Sequence, residues 1–428
     1  MISVSRAAIV VFLILFFVAG SYCTALAQAN APTVLLVSFD GFRYDYVDKH
    51  DLRNFKAFRE NGAAAEGLIP CYPSLTFPNH YSIVTGMRPE HHGLVDNAFY
   101  DSALNISYAI ANRQTVGDAR FYGGTPLWTL AKQAGMKTAS YFWVGTEVTD
   151  PARRPDIYHL YDAKVDFKTR VDSVLSWLGR SGKARPNFIT LYFNEPDHVS
   201  HESGPNSPET HAMLLKMDSV LGYLVEGVKK VKAPVNTILV SDHGMAELLM
   251  ANETFVFLDE LYDVQTKKFK TIVSSSLAHL YIDDTHTLDS MYMLLKSKED
   301  RYKIYKKNEL PAHLGYGHHY RIGDLVMIAN PQHYIRHSNR KENVQHSRTR
   351  QHFGVHGFDP TVVTDMRGIF FAQGPQVKKG EKLGLVRNID IYPFIAQILH
   401  LPVPPIDGDA KALEKIRVGA SRIGERRK

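Results

Sequence analysis

The chain has 428 residues, 44% of them hydrophobic and 22% charged, with a formal net charge of +6. This is the composition of a globular protein, long enough for one large domain or two ordinary ones, so core size is not limiting. The charge is mild and arises partly from local clusters, Arg336 to Arg350 and Arg422 to Lys428, which gives little support to a nucleic-acid binder.

At the N-terminus, Arg6 precedes the apolar run "AAIVVFLILFFVAG", too short for a comfortable membrane span, and then the small-residue stretch "ALAQA". Together they read as a secretory signal peptide over residues 1–29, cleaved near Ala27 or Ala29, with a retained N-terminal anchor as the alternative. The mature chain is then exported, periplasmic or secreted. Cleavage removes Cys23 and leaves Cys71 alone, so no intrachain disulfide is expected and stability must come from the core. Asn105-Ile-Ser and Asn252-Glu-Thr fit the glycosylation pattern and matter only in a glycosylating host.

From residue 30 onward one catalytic domain is expected. "PTVLLVSFDG" (Pro32 to Gly41) is a short apolar run ending in a carboxylate and a glycine, the pattern of a buried strand with a functional loop at its C-terminal end. "PNFITLYFNEPD", ending at Asp197, and "VNTILVSDHG", with Asp242 and His243, repeat the design. Helical patterns lie between them: "LRNFKAFRENG", "TPLWTLAKQAG", "FKTRVDSVLSWLG" and "PETHAMLLKMDSVLGYLVEGVKKV". Alternation of strand and helix predicts an α/β fold, a mostly parallel central sheet with helices on both faces. "GDLVMIAN" and "RGIFFAQG" read as later strands and "RNIDIYPFIAQILHL" as a closing helix. Residues 336–350 read as a surface insertion, and about 97–124 as loop-rich.

Three acidic strand ends converge on one edge of a parallel sheet, where α/β ligand sites lie. Asp197 and His201, four apart, share a face if the chain turns helically there. Asp242 and His243 offer two ligands from one tight turn, and His356 in "GVHGFDP" has flanking glycines that give it room. Carboxylates mixed with imidazoles, without thiolates, suit zinc in a catalytic site, and their number suits two ions rather than one. A twin-metal site would activate a hydroxyl nucleophile. "PSLTFPNHYS" offers Thr76, which alone would read as a loop threonine. His80, His91, His92, His198, His318, His319 and His352 are read as surface or satisfied core residues, His352 being the nearest rival to His356.

"VSFDGFRYDY", "LTFPNHYSIVTGMRPEHHGLVDNAFYD", "PDHVSHESGP", "SDHGM" and "HGFDP", in this order, resemble the nucleotide pyrophosphatase/phosphodiesterases of the alkaline phosphatase superfamily. The resemblance runs from about Val34 to Leu401. It implies an alkaline-phosphatase-like fold and two Zn2+ per chain, one held by Asp197, His201 and His356, the other by Asp40, Asp242 and His243, with Thr76 on it as nucleophile. Asn97 matches the asparagine that binds a non-bridging phosphate oxygen. Phe77 and Tyr161 fall where relatives stack a nucleobase, with Tyr158 as the other candidate. Val144, Phe358 and Pro360 depart from common family residues, and none is among the implied ligands.

The expected activity is hydrolysis of nucleotide phosphodiester or phosphoanhydride bonds through a phosphothreonine, releasing nucleoside 5′-monophosphates. The partner is a small-molecule substrate; no nucleic-acid duplex binding and no stable membrane span in the mature chain are expected. The alternatives are a choline-phosphodiester hydrolase, a monoesterase or sulfatase on the same scaffold, and a non-catalytic binding protein that keeps the fold.

Overall fold

The computed structural model describes residues 32–338 and 351–419. The proposed signal segment, Cys23, the basic tail and most of the 336–350 insertion lie outside the described residues.

An eight-stranded sheet forms the centre, in the order Lys382–Arg387, Ala63–Ile69, Phe370–Gln373, Val235–Val240, Thr33–Phe39, Phe188–Phe193, Thr138–Tyr141 and Ile157–Tyr158. All strands run the same way except Phe370–Gln373, which is antiparallel to both neighbours. The fold is therefore α/β with a mostly parallel sheet, as expected. Thr33–Phe39 lies in the middle and is buried at every residue. Its side chains alternate between two cores: Val34 and Leu36 enter one, Leu35, Val37 and Phe39 the other. A strand buried on both faces must be apolar throughout, and each fully buried aliphatic side chain contributes about 1.5–3 kcal/mol.

Helices Arg53–Glu60, Phe167–Leu178 and Pro208–Lys229 supply buried side chains to one core. Helices Thr76–Thr85, Leu127–Gln133 and Ile391–Ile398 supply the other. Their starts are set locally. The Asp166 carboxylate accepts from the Lys168 and Thr169 amides. The Ser207 hydroxyl accepts from Thr210, with Pro208 in the first turn where its missing N–H costs nothing.

Two features go beyond the sequence-based expectations. The 97–124 stretch contains a hairpin, Ala98–Asp101 paired with Ile106–Ala109, whose strands are too short to show periodicity. "GDLVMIAN" forms its strand, Leu325–Ala329, in a second sheet rather than the central one. That sheet is antiparallel, in the order Lys270–Ser274, Leu277–Tyr281, Leu325–Ala329 and Tyr302–Lys306, and has its own core. Among the described residues no helix is long and apolar enough to cross a membrane.

Candidate metal centre and active site

The parallel strands Thr33–Phe39, Phe188–Phe193 and Val235–Val240 deliver Asp40, Asp197 and Asp242 to one edge of the sheet. The turns are interlocked. Asp197 N–H donates to the Asp40 carbonyl (3.0 Å), and Gly41 N–H donates to Asp242 Oδ1 (3.2 Å). Gly41 is required there: its φ is +67°, and a Cβ would lie 2.9 Å from the Asp197 Cα. A helix over Asp197–Ser203 brings His201 Nε2 to 3.4 Å from Asp197 Oδ1. His356 follows the short strand His352–Val355, and its neighbour Gly357 has φ +104° with Ser276 Oγ 2.4 Å from where a Cβ would stand.

These groups form two clusters. In the first, His201 Nε2 and His356 Nε2 are 3.1 Å apart, and Asp197 Oδ1 lies 3.4 Å and 3.7 Å from them. In the second, His243 Nε2 is 3.0 Å from Asp242 Oδ2, 3.7 Å from Asp40 Oδ1 and 3.2 Å from Thr76 Oγ1. Ligand atoms about 2.0–2.1 Å from a tetrahedral zinc stand roughly 3.3 Å apart, so both triangles have the size of a coordination face.

Hydrogen bonding favours cations in both. The Nδ1–H groups of His201, His243 and His356 donate to the carbonyls of Gly354, Gly244 and Ser74, which aims each Nε2 into the cluster as the atom free to ligate a cation. The 3.1 Å approach of His201 Nε2 to His356 Nε2 needs a positive species between them, a shared proton or a metal cation. Asp40 Oδ1 and Asp197 Oδ1 are buried without a hydrogen-bond partner, which is costly for a carboxylate with no cation at hand. Burial, then the charges of Asp242 and Asp197, hold the Asp40 carboxyl well above its usual range. Burial and the neighbouring His243 push the His356 imidazole down to about 3, keeping it neutral as a ligand must be.

By distance alone, His243 groups with Asp197 and His356, on whose ring it stacks at 3.7 Å, so the two clusters adjoin, and His80 groups with Asp40 and Asp242. Its Nδ1–H, however, points at the Thr76 carbonyl (3.0 Å) and at Asp242 Oδ2 (3.3 Å), and its Nε2 accepts from Ser38 Oγ (2.8 Å). No lone pair remains, so His80 orients Asp242 rather than ligating. His352, the sequence rival of His356, lies half-exposed beside Glu247.

Thr76 is the first residue of helix Thr76–Thr85, the end where backbone N–H groups favour an anion. Asn97 Oδ1 accepts from the Phe77 amide (2.9 Å), which turns the Asn97 amide N–H groups away from the helix. A cavity of about 460 Å³ opens from this point, with Asp40, Thr76, Asp197, Phe77, Tyr161 and Glu147 among the residues that line it. Tyr161 lines it. Tyr158 instead packs under the Arg154 guanidinium, 4.8 Å from its ring centre.

Several site residues were not read from the sequence. Tyr192 Oη donates to Asp40 Oδ2 at 2.6 Å, yet a tyrosine within a strand reads only as a β-former. His80 had a usable signal, since it stands four residues after Thr76 on one helix face. Glu147 and Arg113 form an ion pair on the cavity wall, joined from separate loops.

Residues 34–359 match the family model for type I phosphodiesterase / nucleotide pyrophosphatase. The chain is 32% identical over 401 residues to human ectonucleotide pyrophosphatase/phosphodiesterase family member 1, covering 91% of this chain and 42% of that protein. It is 30% identical over 407 residues to an uncharacterized pyrophosphatase/phosphodiesterase of Schizosaccharomyces pombe, covering 92% and 82%. It is also similar to a venom phosphodiesterase of Macrovipera lebetinus, 32% identical over 408 residues, covering 92% and 47%. The chain thus spans less than half the length of the human and viper relatives. Among solved structures it resembles murine ectonucleotide pyrophosphatase/phosphodiesterase 5, described as an inactive threonine-to-alanine form in complex with AMP. The TM-score is 0.83 at 29% identity, over 90% of this chain and 100% of that one.

Proposed function

Because the chain belongs to the type I phosphodiesterase / nucleotide pyrophosphatase family, we propose that it is an exported hydrolase of nucleotide phosphodiester and phosphoanhydride bonds. It releases nucleoside 5′-monophosphates. The carrying observation is Thr76 Oγ1, 3.2 Å from His243 Nε2, in a cavity that the Phe77 and Tyr161 rings also line. The murine relative, inactive with its threonine replaced and holding AMP, supports both the threonine and the product class.

One Zn2+ would be held by Asp197, His201 and His356, the other by Asp40, Asp242 and His243, a mixed carboxylate and imidazole set of the catalytic kind. Bound there, the two ions would neutralise charge on the phosphoryl oxygens and lower the pKa of a hydroxyl or water. Thr76 Oγ1, its proton passing to solvent, forms the bond to phosphorus as the bond to the leaving oxygen breaks, and the leaving group departs as the anion or takes a proton from water. Asn97 donates an amide N–H to a non-bridging oxygen as charge grows on it. Water then cleaves the Oγ1–P bond, restoring the threonine and releasing the monophosphate. Phe77 and Tyr161 hold the base by stacking.

A choline ester would call for a carboxylate free to face a quaternary ammonium. Glu147, on the aromatic part of the wall, is already paired with Arg113, which favours the nucleotide. Asn97 is a neutral donor, better suited to the single charge of a diester than to the two of a monoester. The same proposal includes residues 30–428 as one catalytic domain and export by cleavage of residues 1–29. The ecto- and venom enzymes among the relatives support export, and N-terminal sequencing of the mature protein tests it.

The deciding experiment compares bis(p-nitrophenyl) phosphate with p-nitrophenyl phosphate, with and without chelator, in wild type and Thr76→Ala. We expect the diester to be preferred, chelator to abolish the reaction, and Thr76→Ala to be inactive while still binding two zinc equivalents. Wild-type turnover by Thr76→Ala would remove Thr76 from the mechanism.

A further inference from the structure

Behind the cavity-lining Phe142 ring lies a buried guanidinium. Arg170 is fully buried, and its guanidinium packs 5.1 Å from the ring centres of both Phe142 and Phe167. Among the described residues no carboxylate pairs with it. Its donors go instead to the carbonyls of Val165 (3.1 Å), Tyr192 (3.1 Å) and Ala163 (3.4 Å), and, from both Nη atoms, to Asn194 Oδ1 (3.3 Å each).

The last contact fixes an orientation. A guanidinium can only donate, so the Asn194 amide must turn its oxygen toward Arg170 and its two N–H groups away. Asn194 lines the cavity, and among the described residues those N–H groups have no hydrogen-bond acceptor. Two other polar groups on this wall are engaged elsewhere: Tyr192 Oη donates to Asp40, and Glu147 is paired with Arg113 and accepts from the Tyr161 amide. Asn194 therefore presents two fixed N–H donors to whatever lies against this wall.

Its place suggests what that is. Asn194 follows directly on the strand Phe188–Phe193 and stands three residues before Asp197, near the reacting end of the cavity. A nucleotide with its phosphorus at Thr76 Oγ1 and its base at Phe77 and Tyr161 spans the stretch between with its ribose. Resting on the nucleotide reading above, we propose that Asn194 is a specificity-determining residue whose amide N–H groups donate to the 2′- and 3′-hydroxyl oxygens of ribose, with Arg170 as the positioning residue that holds the amide. The enzyme then favours ribonucleotides over their deoxy counterparts.

The test measures kcat/KM for release of the corresponding nucleoside 5′-monophosphate from ATP, 2′-deoxy-ATP, 3′-deoxy-ATP and 2′,3′-dideoxy-ATP by the zinc-loaded full chain. Wild type, Asn194→Leu and Asn194→Ala are compared, each first checked for a cooperative thermal transition. One neutral hydrogen bond is worth about 1 kcal/mol, so wild type should prefer ATP to the dideoxy compound by about 5-fold or more. Both variants should bring that ratio close to one. The ratio is read within each protein, so a general loss of activity cancels, and the wild-type series alone decides if a variant fails to fold. Equal kcat/KM for all four compounds in wild type, or a preference that survives both substitutions, overturns the assignment while leaving the nucleotide reading intact. Hydrolysis of bis(p-nitrophenyl) phosphate without nucleoside monophosphate release from any of the four overturns the nucleotide reading and the assignment with it.

Discussion

At the residue scale, the centre is held by groups that touch the candidate ligands rather than by the ligands alone. Asp40 has one oxygen facing the cation position and the other receiving the Tyr192 hydroxyl at 2.6 Å. That bond orients the carboxylate, and its loss leaves a buried oxygen unpaired. Tyr192→Phe keeps the ring that packs against His80 and Tyr161 and removes only the donor. Changes of this kind cost about 10- to 100-fold in metal affinity or activity. We expect Tyr192→Phe to need more zinc for half-maximal activity by about that factor, read by titrating the metal-free protein. An unchanged zinc titration would mean that Asp40 is oriented without it.

At the scale of elements, the second sheet reaches into the site. The His279 ring on its Leu277–Tyr281 strand accepts from the Gly323 amide at Nδ1, so Nε2 carries the proton and donates to Asp96 Oδ2 at 3.2 Å. Asp96 Oδ1 accepts from the Ala98 amide, and Tyr316 Oη donates to the Val95 carbonyl. Both neighbours of Asn97 are thus pinned by fully buried or nearly buried side chains. A displacement of about 1 Å in a positioning group can cost as much as 100-fold, so His279→Gln should lower kcat by about 10-fold or more. If the effect acts through Asn97, it should vanish when Asn97 is already alanine; the double-mutant cycle measures this. Additive losses would show that His279 serves stability alone.

For the whole molecule, the candidate centre gathers chain from residues 40, 76, 197–201, 242–243 and 356, so a cation bound there ties together distant parts of the fold. Binding to the folded state alone stabilises by about 4 kcal/mol when free ligand is 1,000 times Kd. Chelation should therefore lower the thermal midpoint by several degrees, and zinc should restore it. His356→Ala, which takes a ligand from a three-residue set, should bind less zinc and shrink that shift. Full zinc content and an undiminished shift in this variant would mean that His356 is not a ligand.

What the sequence determined by itself was local. A run such as "VLLVSFD" has to be a doubly buried strand, and its terminal carboxylate has to stand at the strand end; repeating the pattern at Asp197 and Asp242 implied a shared edge. The i,i+4 spacing of Asp197 and His201 likewise followed from helical geometry, and the ordered motifs pointed to the family. Tertiary structure alone decided what joins positions far apart in the chain. The Asp96–His279 bond spans 183 residues and the Asp40–Tyr192 bond 152, while Arg170 meets Asn194 only because a helix packs against the strand that leads to it. Hydrophobic period and capping report a residue's immediate surroundings. They carry no record of which buried polar group will find which partner, because that is set by how the sheets and helices close on one another.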